Sequence, residues 1–276
     1  MSGGWPIDLE APNFFSQGDN YVSNAGGTQV TAGNGAYGTM TQIVAATPYD
    51  ASWMIVTWGG LANNTYAQYQ AICNIAIGPS GSEKIIARDL MAQVYKSTGG
   101  NQLIWNYSFP INIPKGTRLS AQVCEGGGSD QFGVQFNLGD GAFTQTDGCG
   151  GVDSMGINIP SSKGTAISSG TQVMGSWVQM IAATARDYIG LMIGVDTQNG
   201  SIWGDSYWYD IGIGPSGSEQ VIIPKFATGG NPVGYMPGSS AFMPVQVPAG
   251  SRLAARCMNY NGNSTGSSIS LYGIYR

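Results

Sequence analysis

Hydrophobic residues occur in short runs along the whole chain. Residues 53–58, 71–77 and 118–123 form three such runs, and glycine, proline or asparagine residues lie between them. Runs of this length bounded by turn residues are typical of β-strands. No segment keeps the i, i+3, i+4, i+7 spacing of an amphipathic helix for three turns. The pattern therefore predicts an all-β protein.

The same pattern occurs twice in the chain. The sequence IAIGPSGSE at residues 75–83 recurs as IGIGPSGSE at residues 211–219, a spacing of about 136 residues. Weaker matches keep the same order, such as PINIPKGTRL at 110–119 and PVQVPAGSRL at 244–253. The Gly-Pro-Ser-Gly segment fits a tight turn, because proline presets φ and glycine tolerates positive φ. The matches indicate an internal duplication.

The duplication predicts two tandem antiparallel β-sandwich domains of the jelly-roll-like kind. We place an extended N-terminal arm at residues 1–22, the first repeat at 23–138, a glycine-rich linker at 139–159 and the second repeat at 160–276. The arm is too short and irregular for a domain of its own. It carries three aromatic anchors that we expect to form an assembly arm, docking on a neighbouring subunit or on the capsid surface: Trp5, Phe14 and Phe15.

Charged residues make up only 10% of the chain, where about 25% is usual. A solitary soluble protein keeps charge on its surface for solubility, so this composition favours burial against partners. The net charge is −5, and the 11 Lys and Arg residues are scattered singly. No basic stripe could neutralise a phosphate backbone, so we expect no nucleic-acid binding.

The chain contains no histidine, which excludes Ser-His-Asp and Cys-His catalysis. A hydrolase with two carboxylates stays arithmetically possible, but no acidic cluster singles out such a pair. We predict no enzymatic activity and no cofactor. Both repeats keep a glutamate after the tight turn, and we expect it to bond turn amides or pair with an arginine. These structural turn residues are Glu83 with Arg118 and Glu219 with Arg252.

No metal site is predicted. Three aspartates of the linker region do not follow the spacing of a calcium loop and are interpreted as turn residues: Asp140, Asp147 and Asp153. The four cysteines lack C-x-x-C spacing, and there is no histidine to complete a zinc site. We expect free, buried thiols at Cys73, Cys124, Cys149 and Cys257.

One loop of the second repeat is a candidate ligand-binding site. It carries Trp203, Asp205 and Tyr207, where the first repeat has residues 63–66. Exposed aromatic rings beside a carboxylate could stack on sugars and hydrogen-bond their hydroxyls, since loops on a rigid scaffold often carry binding. The alternative is that these aromatic residues pack under the loop or against another subunit.

The N-terminal residues have neither the basic region nor the apolar core of a signal peptide, and no stretch approaches about 20 apolar residues. We expect synthesis and assembly in the cytoplasm and no membrane insertion.

Four motifs together carry a family resemblance: GTQVTAG at 27–33, QIVAAT at 42–47, IAIGPSGSE at 75–83 and FPINIPKGTRL at 109–119. This series resembles a repeat of virion proteins of tailed bacteriophages. The resemblance implies a tail-fibre, spike, head-fibre or decoration protein, located on the virion. Its partners would be other virion proteins and copies of itself. Such proteins assemble in the host cytoplasm and leave by lysis, and no catalytic residues carry over.

Three functions are compatible with these observations. We favour a non-enzymatic structural component exposed on a tailed-phage virion. The alternative is an adhesin, or receptor-binding module, that recognises bacterial surface polysaccharide. A polysaccharide-degrading enzyme is the least favoured of the three.

Overall fold

The computed structural model describes residues 14–17, 27–59, 68–95, 104–139, 150–197, 207–228, 242–260 and 266–276. Within these ranges the secondary structure is β-strand apart from one 3₁₀ turn at Ile159–Ser161. The predicted all-β class is confirmed. No helix in the described part of the chain is long and apolar enough to span a membrane.

The strands fall into two successive groups that we call the first and second unit. The first unit contains β1 Phe14–Gln17, β2 Thr28–Asn34, β3 Thr41–Val44, β4 Ala51–Gly59, β5 Gln68–Ile77, β6 Lys84–Tyr95, β7 Ile104–Ile113, β8 Leu119–Glu125 and β9 Gln131–Gly139. The second unit contains β10 Gly151–Met155, β11 Thr165–Ser168, β12 Gly170–Thr171, β13 Val178–Ile181, β14 Gly190–Thr197, β15 Tyr207–Ile213, β16 Gln220–Thr228, β17 Leu253–Asn259 and β18 Gly266–Tyr275.

The first unit is a jelly roll of two four-stranded antiparallel layers. One layer has the order β2–β9–β4–β7 and the other has the order β3–β8–β5–β6. Strand β2 joins both layers, because Thr28 to Thr31 pair with β9 and Ala32 to Asn34 pair with β8. Such a double-layer arrangement leaves each sheet with one face toward the core.

The second unit has matching strand orders. Strands β11–β18–β14 form one layer and β13–β17–β15–β16 form the other. Strands β11 and β12 take the places of the two halves of β2, with β12 parallel to β17. Isolated bridges at Met243 and Val247 lie where the first unit has β7. Duplication as the origin of this correspondence stays a prediction.

The correspondence extends to an unusual backbone position in each unit. Asp89 and Lys225 both adopt left-handed backbone, with φ of 52° and 47°. The amide of Asp89 donates to Asn74 Oδ1 at 2.8 Å, and that of Lys225 donates to Asp210 Oδ1 at 2.9 Å. A side-chain acceptor at the same place in both units therefore holds the same bulged backbone.

Each unit begins with a strand that the sequence interpretation placed elsewhere. Strand β1 lies in the predicted arm, and it pairs with β9 of the same chain. Strand β10 lies in the predicted linker, where it pairs with β18 and also bridges β6 in parallel at Val152 and Ala87. The described end of the predicted linker thus includes a strand that joins the sheets of the two units.

Alternating side chains build two cores, and the core of the first unit also takes in four residues of the second unit: Val152, Met192, Tyr272 and Ile274. The largest buried residues of the first core include Trp58, Phe109, Phe132 and Phe136, and those of the second include Tyr209, Ile211 and Leu271. Both cores are rich in aromatic and β-branched side chains, which pack well on pleated surfaces.

A buried tyrosine of the second unit completes hydrogen bonds of the first. The Tyr272 hydroxyl accepts from the Met91 amide at 2.8 Å and donates to the Asp89 carbonyl at 3.0 Å. It also accepts from Ser270 Oγ at 2.8 Å, and its ring meets Tyr107 edge-on at 5.3 Å. The two units therefore share a buried hydrogen-bond network around Tyr272.

Candidate functional site

A glutamate and an arginine clamp the tight turn of the first unit. Glu83 Oε2 accepts from the Gly81 amide at 2.8 Å, and Glu83 Oε1 forms an ion pair with Arg118 at 2.9 Å. Arg118 also donates to the Gly78 carbonyl at 3.2 Å and to Gln42 Oε1 at 2.8 Å. The structure thus brings Glu83 and Arg118 together at the turn.

The second unit repeats these four contacts of the clamp. Glu219 accepts from the Gly217 amide at 2.9 Å and pairs with Arg252 at 2.9 Å. Arg252 donates to the Gly214 carbonyl and to Gln179 Oε1, both at 3.0 Å. The Nε and Nη1 donors of each guanidinium are directed at turn and strand atoms, which suits a structural role.

The surroundings keep both clamp glutamates ionised. The pKa of Glu83 is lowered by the hydrogen bond from its own backbone amide, and further by Arg118 and the Gly81 amide. For Glu219, burial acts to raise the pKa, but the backbone amides and Arg252 outweigh it and the pKa is lowered. A carboxylate with a lowered pKa is a poor general acid or base near neutral pH.

The predicted ligand loop is only partly described. Trp203 and Asp205 lie outside the described residues. Tyr207 lies in β15, is 3% exposed and belongs to the core of the second unit. The prediction that Tyr207 lies in an exposed loop is wrong, because strand alternation turns this ring inward.

The predicted arm residues are placed in the same chain where they are described. Phe14 and Phe15 belong to β1, opposite Gly139 and Leu138 of β9. Trp5 lies outside the described residues. The described part of the arm is thus an edge strand of the first unit.

Asp153, interpreted as a turn residue, forms an ion pair. It meets Arg186 at 2.9 Å and accepts from the Tyr188 hydroxyl at 3.2 Å. Arg186 also lies 4.0 Å from the ring centroid of Tyr275, at an open cavity of about 590 Å³. Among the described residues no group of three metal-binding side chains occurs, and Asp140 and Asp147 lie outside them.

Three cysteines are free and buried: Cys73, Cys124 and Cys257. Burial raises the pKa of Cys257 to about 11 and that of Cys73 still higher. Thiols of this kind are not reactive nucleophiles at neutral pH. Cys149 lies outside the described residues.

A carboxylate at the junction of the units has hydroxyl partners from both sides. Asp89 accepts from the Tyr37 hydroxyl of the first unit and from the Ser154 hydroxyl of β10. Burial, followed by the nearby Asp89 charge, raises the pKa of Tyr37 far above its ordinary value. Tyr37 therefore stays protonated and acts as a fixed donor, which is a structural use of this carboxylate.

A second buried carboxyl, Glu125, lies at the end of β8. Its Oε2 accepts from the Asp130 amide at 3.0 Å, whereas its Oε1 is buried without a hydrogen-bond partner. Burial raises the pKa of Glu125 against the opposing effect of the Asp130 amide. The second unit has Asn259 at the matching place, so the two copies do not share this carboxyl.

The outward side of the sheet β13–β17–β15–β16 carries an aromatic cluster that sequence reasoning missed. Trp208 stacks on Tyr260 with ring centroids 6.4 Å apart and planes 20° apart. Lys225 Nζ lies 5.5 Å from the Trp208 ring, and Met258 is the cross-strand neighbour of Trp208. Tyr207 and Tyr209 on the same strand are core residues, so Trp208 between them faces outward. The alternation in residues 207–209 was the available signal.

A partly buried ion pair continues this outward side. Asp210 pairs with Arg256 at 2.8 Å, and the Arg256 guanidinium lies 4.4 Å from the ring centroid of Trp177. Asp210 also accepts from the Lys225 amide, so it is occupied by structural partners. We call Trp177, Trp208, Met258 and Tyr260, with Val173 at the rim, the aromatic face.

No protein-family model and no curated protein matches the chain. Solved structures similar to it include PNGF-II, at TM-score 0.37 and 10% identity over 96% of this chain and 64% of that one. The STIV MCP matches at TM-score 0.37 and 11% identity over 95% of this chain and 96% of that one. PNGase F, a glycosylasparaginase from Flavobacterium meningosepticum, matches at TM-score 0.36 and 11% identity over 95% of each chain. At these TM-scores the likenesses carry no argument about function.

Most of the carboxylates described above are occupied by partners within the chain. Four carboxylates pair with arginine and a fifth accepts from two hydroxyl donors: Glu83, Glu219, Asp153 and Asp210, then Asp89. The aromatic face, by contrast, presents rings and cationic groups to the outside. Surfaces of this composition are typical of contacts with other macromolecules.

Proposed function

We propose that this protein is a non-enzymatic structural component of a tailed-phage virion, exposed on the particle as a decoration, head-fibre, tail-fibre or spike protein. It acts through assembly interfaces with other virion proteins and with copies of itself. Its place of assembly is the host cytoplasm, and it carries no cofactor.

The observation that carries this proposal is the repeated clamp. Both units contain the clamp, which is Glu83 with Arg118 in the first and Glu219 with Arg252 in the second. In both units it stabilises turns and strands. Shared residues therefore build a scaffold, and a chain made of two such scaffolds has the character of a building block. Double-layer jelly rolls are frequent in viral capsids, although fold alone never fixes a function.

Low charge and the aromatic face supply further support. Only 10% of residues are charged, and the aromatic face is partly exposed, so both features favour association over a solitary state. The sequence motifs that resemble tailed-phage virion repeats support a tailed phage as the class of particle.

Co-purification with infectious particles tests the proposal. Particles purified through a density gradient should contain the protein in constant ratio to the other virion proteins, and mild protease should remove it without opening the particle. Absence of the protein from purified particles, while it is abundant in the lysate, would overturn the proposal.

A second function is favoured by the stacked rings of Trp208 and Tyr260 beside Lys225. Aromatic rings with nearby polar groups bind sugars, so we keep an adhesin for bacterial surface polysaccharide as the alternative. Binding of the purified protein to host polysaccharide, lost in Tyr260→Ala, would favour it. Release of new reducing ends from that polysaccharide would instead point to an enzyme.

A further inference from the structure

A buried carboxyl group of the first unit lacks a partner for one of its oxygens. Glu125, at the end of β8, is 0% exposed, and its Oε1 atom has no hydrogen-bond partner. None of the ion pairs in the described part of the chain includes it. Burial of an unpaired charge is costly, so such a group either takes up a proton or acquires a cationic partner.

The unpartnered oxygen is directed at a glycine-rich loop between β8 and β9, at residues 126–129. A Cβ atom on Gly128 would lie 3.0 Å from Glu125 Oε1, and one on Gly127 would have no neighbour within 4 Å. Because glycines carry no side chains, the peptide carbonyls of this loop can approach a small ion closely. Three of the four loop residues are exposed, so an ion can enter from solvent.

A second carboxyl group lies at the other end of this loop. The Asp130 amide donates to Glu125 Oε2 at 3.0 Å. Burial raises the pKa of Glu125, and the nearby charge of Asp130 raises it further. A cation bound to both carboxylates relieves this repulsion. Carboxylate and peptide oxygens are the ligands that Ca²⁺ takes, in a coordination geometry more flexible than that of Mg²⁺.

Backbone hydrogen bonds fix both ends of the loop. The Gly35 amide donates to the Glu125 carbonyl at 2.7 Å, and the Ala32 amide donates to the Asp130 carbonyl at 2.8 Å. Ala32 lies in β2 and Gly35 directly follows it, and β2 is the strand that joins the two layers of the first unit. The two carboxyl groups are therefore held where the chain passes from one layer to the other.

Comparison with the second unit shows that the scaffold does not need these carboxyl groups. Asn259 stands at the place of Glu125 and is equally buried. The matching segment, residues 259–265, contains no Asp or Glu. An amide is neutral, so it needs neither a proton nor a cation when it is buried. The acidic pair is thus specific to the first unit, and a cation site accounts for it.

We propose that residues 125–130 bind one calcium ion. Glu125 Oε1 and the Asp130 carboxylate supply the charged ligands, and carbonyl groups of the glycine-rich loop supply neutral ones. The ion ties β8 to β9 and stabilises the first unit, and it takes no part in a reaction. The site goes beyond the proposed function, and its acidic spacing differs from the Asp-x-Asp-x-Asp-Gly loop.

Isothermal titration calorimetry tests this proposal on the full chain, first treated with a chelator that is then removed. The unmodified chain should bind one Ca²⁺ per molecule, more tightly than Mg²⁺, and its melting temperature should rise with the Ca²⁺ concentration. Glu125→Gln and Asp130→Asn each remove a charged ligand, so each should weaken Ca²⁺ binding on the order of tenfold or more.

Asp187→Asn is the matched control. It also removes a carboxylate that accepts from a backbone amide, that of Ala249 at 2.7 Å, but it lies in the second unit. This variant should bind Ca²⁺ like the unmodified chain. In chelator at neutral pH, Glu125→Gln should be at least as stable as the unmodified chain, because it removes a buried charge and keeps an acceptor for the Asp130 amide. Its loss of Ca²⁺ binding would then not be due to unfolding.

Two results would overturn the proposal. One is an unmodified chain that binds no Ca²⁺, or binds Mg²⁺ equally well, which would leave Glu125 with a proton only. The other is equal Ca²⁺ affinity in the unmodified chain, Glu125→Gln and Asp130→Asn, which would indicate an adventitious ion only. Incorporation into particles is measured separately, so the proposed function does not depend on either result.

Discussion

Carboxyl groups of this protein respond to their surroundings in two opposite ways. Clamp residues Glu83 and Glu219 are held ionised, because backbone amides and an arginine stabilise the charged form. Glu125 is held toward its neutral form, because burial penalises the charge and one oxygen has no hydrogen-bond partner. Opposite shifts predict opposite pH dependence of stability.

Replacing Glu125 with glutamine should flatten the pH dependence of unfolding. A carboxyl with a raised pKa contributes full stability below its unfolded value, about 4.3, and loses it as the pH rises toward the folded value. Glu125→Gln removes this loss. Between acid and neutral pH, the free energy of unfolding of the variant should therefore rise relative to that of the unmodified protein. Urea unfolding at several pH values measures this, and parallel curves for the two proteins would contradict it.

The clamp glutamates should show the opposite pH dependence of stability. Their lowered pKa adds stability that is present above the unfolded value and disappears as the pH falls through the folded value. Glu83→Gln and Glu219→Gln should therefore lower the urea midpoint at neutral pH and have little effect in acid. Because the two clamps have the same contacts, their effects should be similar, and a strong effect of only one would argue against equivalent roles.

At the scale of single residues, the sequence predicted the clamp but not which side of β15 faces the core. The repeated Glu and Arg were visible as matched positions, so their pairing could be anticipated. Tyr207 was expected in an exposed loop, but β15 begins at this residue. The start of β15 is determined by pairing with β16 and β17, and it decides that Tyr207 faces inward and Trp208 outward. Cross-strand pairing of this kind is not encoded locally.

At the scale of elements, each unit depends on a glycine where β2, or its counterpart β12, meets the following turn. A Cβ atom on Gly33 would lie 2.4 Å from the Ala36 carbonyl, and one on Gly170 would lie 2.1 Å from the Val173 carbonyl. Both neighbours are backbone atoms, which cannot rotate away. The close approach therefore requires glycine at both positions.

Alanine at these glycines should destabilise the fold. Gly33→Ala and Gly170→Ala should each cost roughly 1–3 kcal/mol, the usual range for forced backbone shifts. Gly127→Ala is the control, because a Cβ atom there would have no neighbour within 4 Å. Chemical denaturation measures all three, and equal stability of Gly33→Ala and Gly127→Ala would contradict the close approach.

Strands with strong apolar runs were predictable, and the first strand of each unit was not. The runs at 53–58, 71–77 and 118–123 lie within or overlap β4, β5 and β8. Strands β1 and β10 are short, and they are defined by their pairing with β9 and β18 at the far end of each unit. Such long-range pairing has no local pattern, so these strands were interpreted as arm and linker.

At the scale of the whole molecule, the junction between the units should govern cooperativity. Tyr272→Phe leaves the Met91 amide buried without its acceptor, at a cost of about 1–3 kcal/mol. Tyr209→Phe is the matched control, because its hydroxyl meets Ser267 inside the second unit only. Calorimetry should show one transition for the unmodified protein, and Tyr272→Phe should broaden or split it more than Tyr209→Phe does.

A double jelly roll that serves as a building block on the outside of a particle should be visible on that particle. The most direct measurement is electron microscopy of purified phage particles labelled with a gold-tagged antibody against this protein. Our account predicts label at regular positions on the particle surface. Unlabelled particles, from a preparation in which the antibody detects the free protein in the lysate, would contradict it.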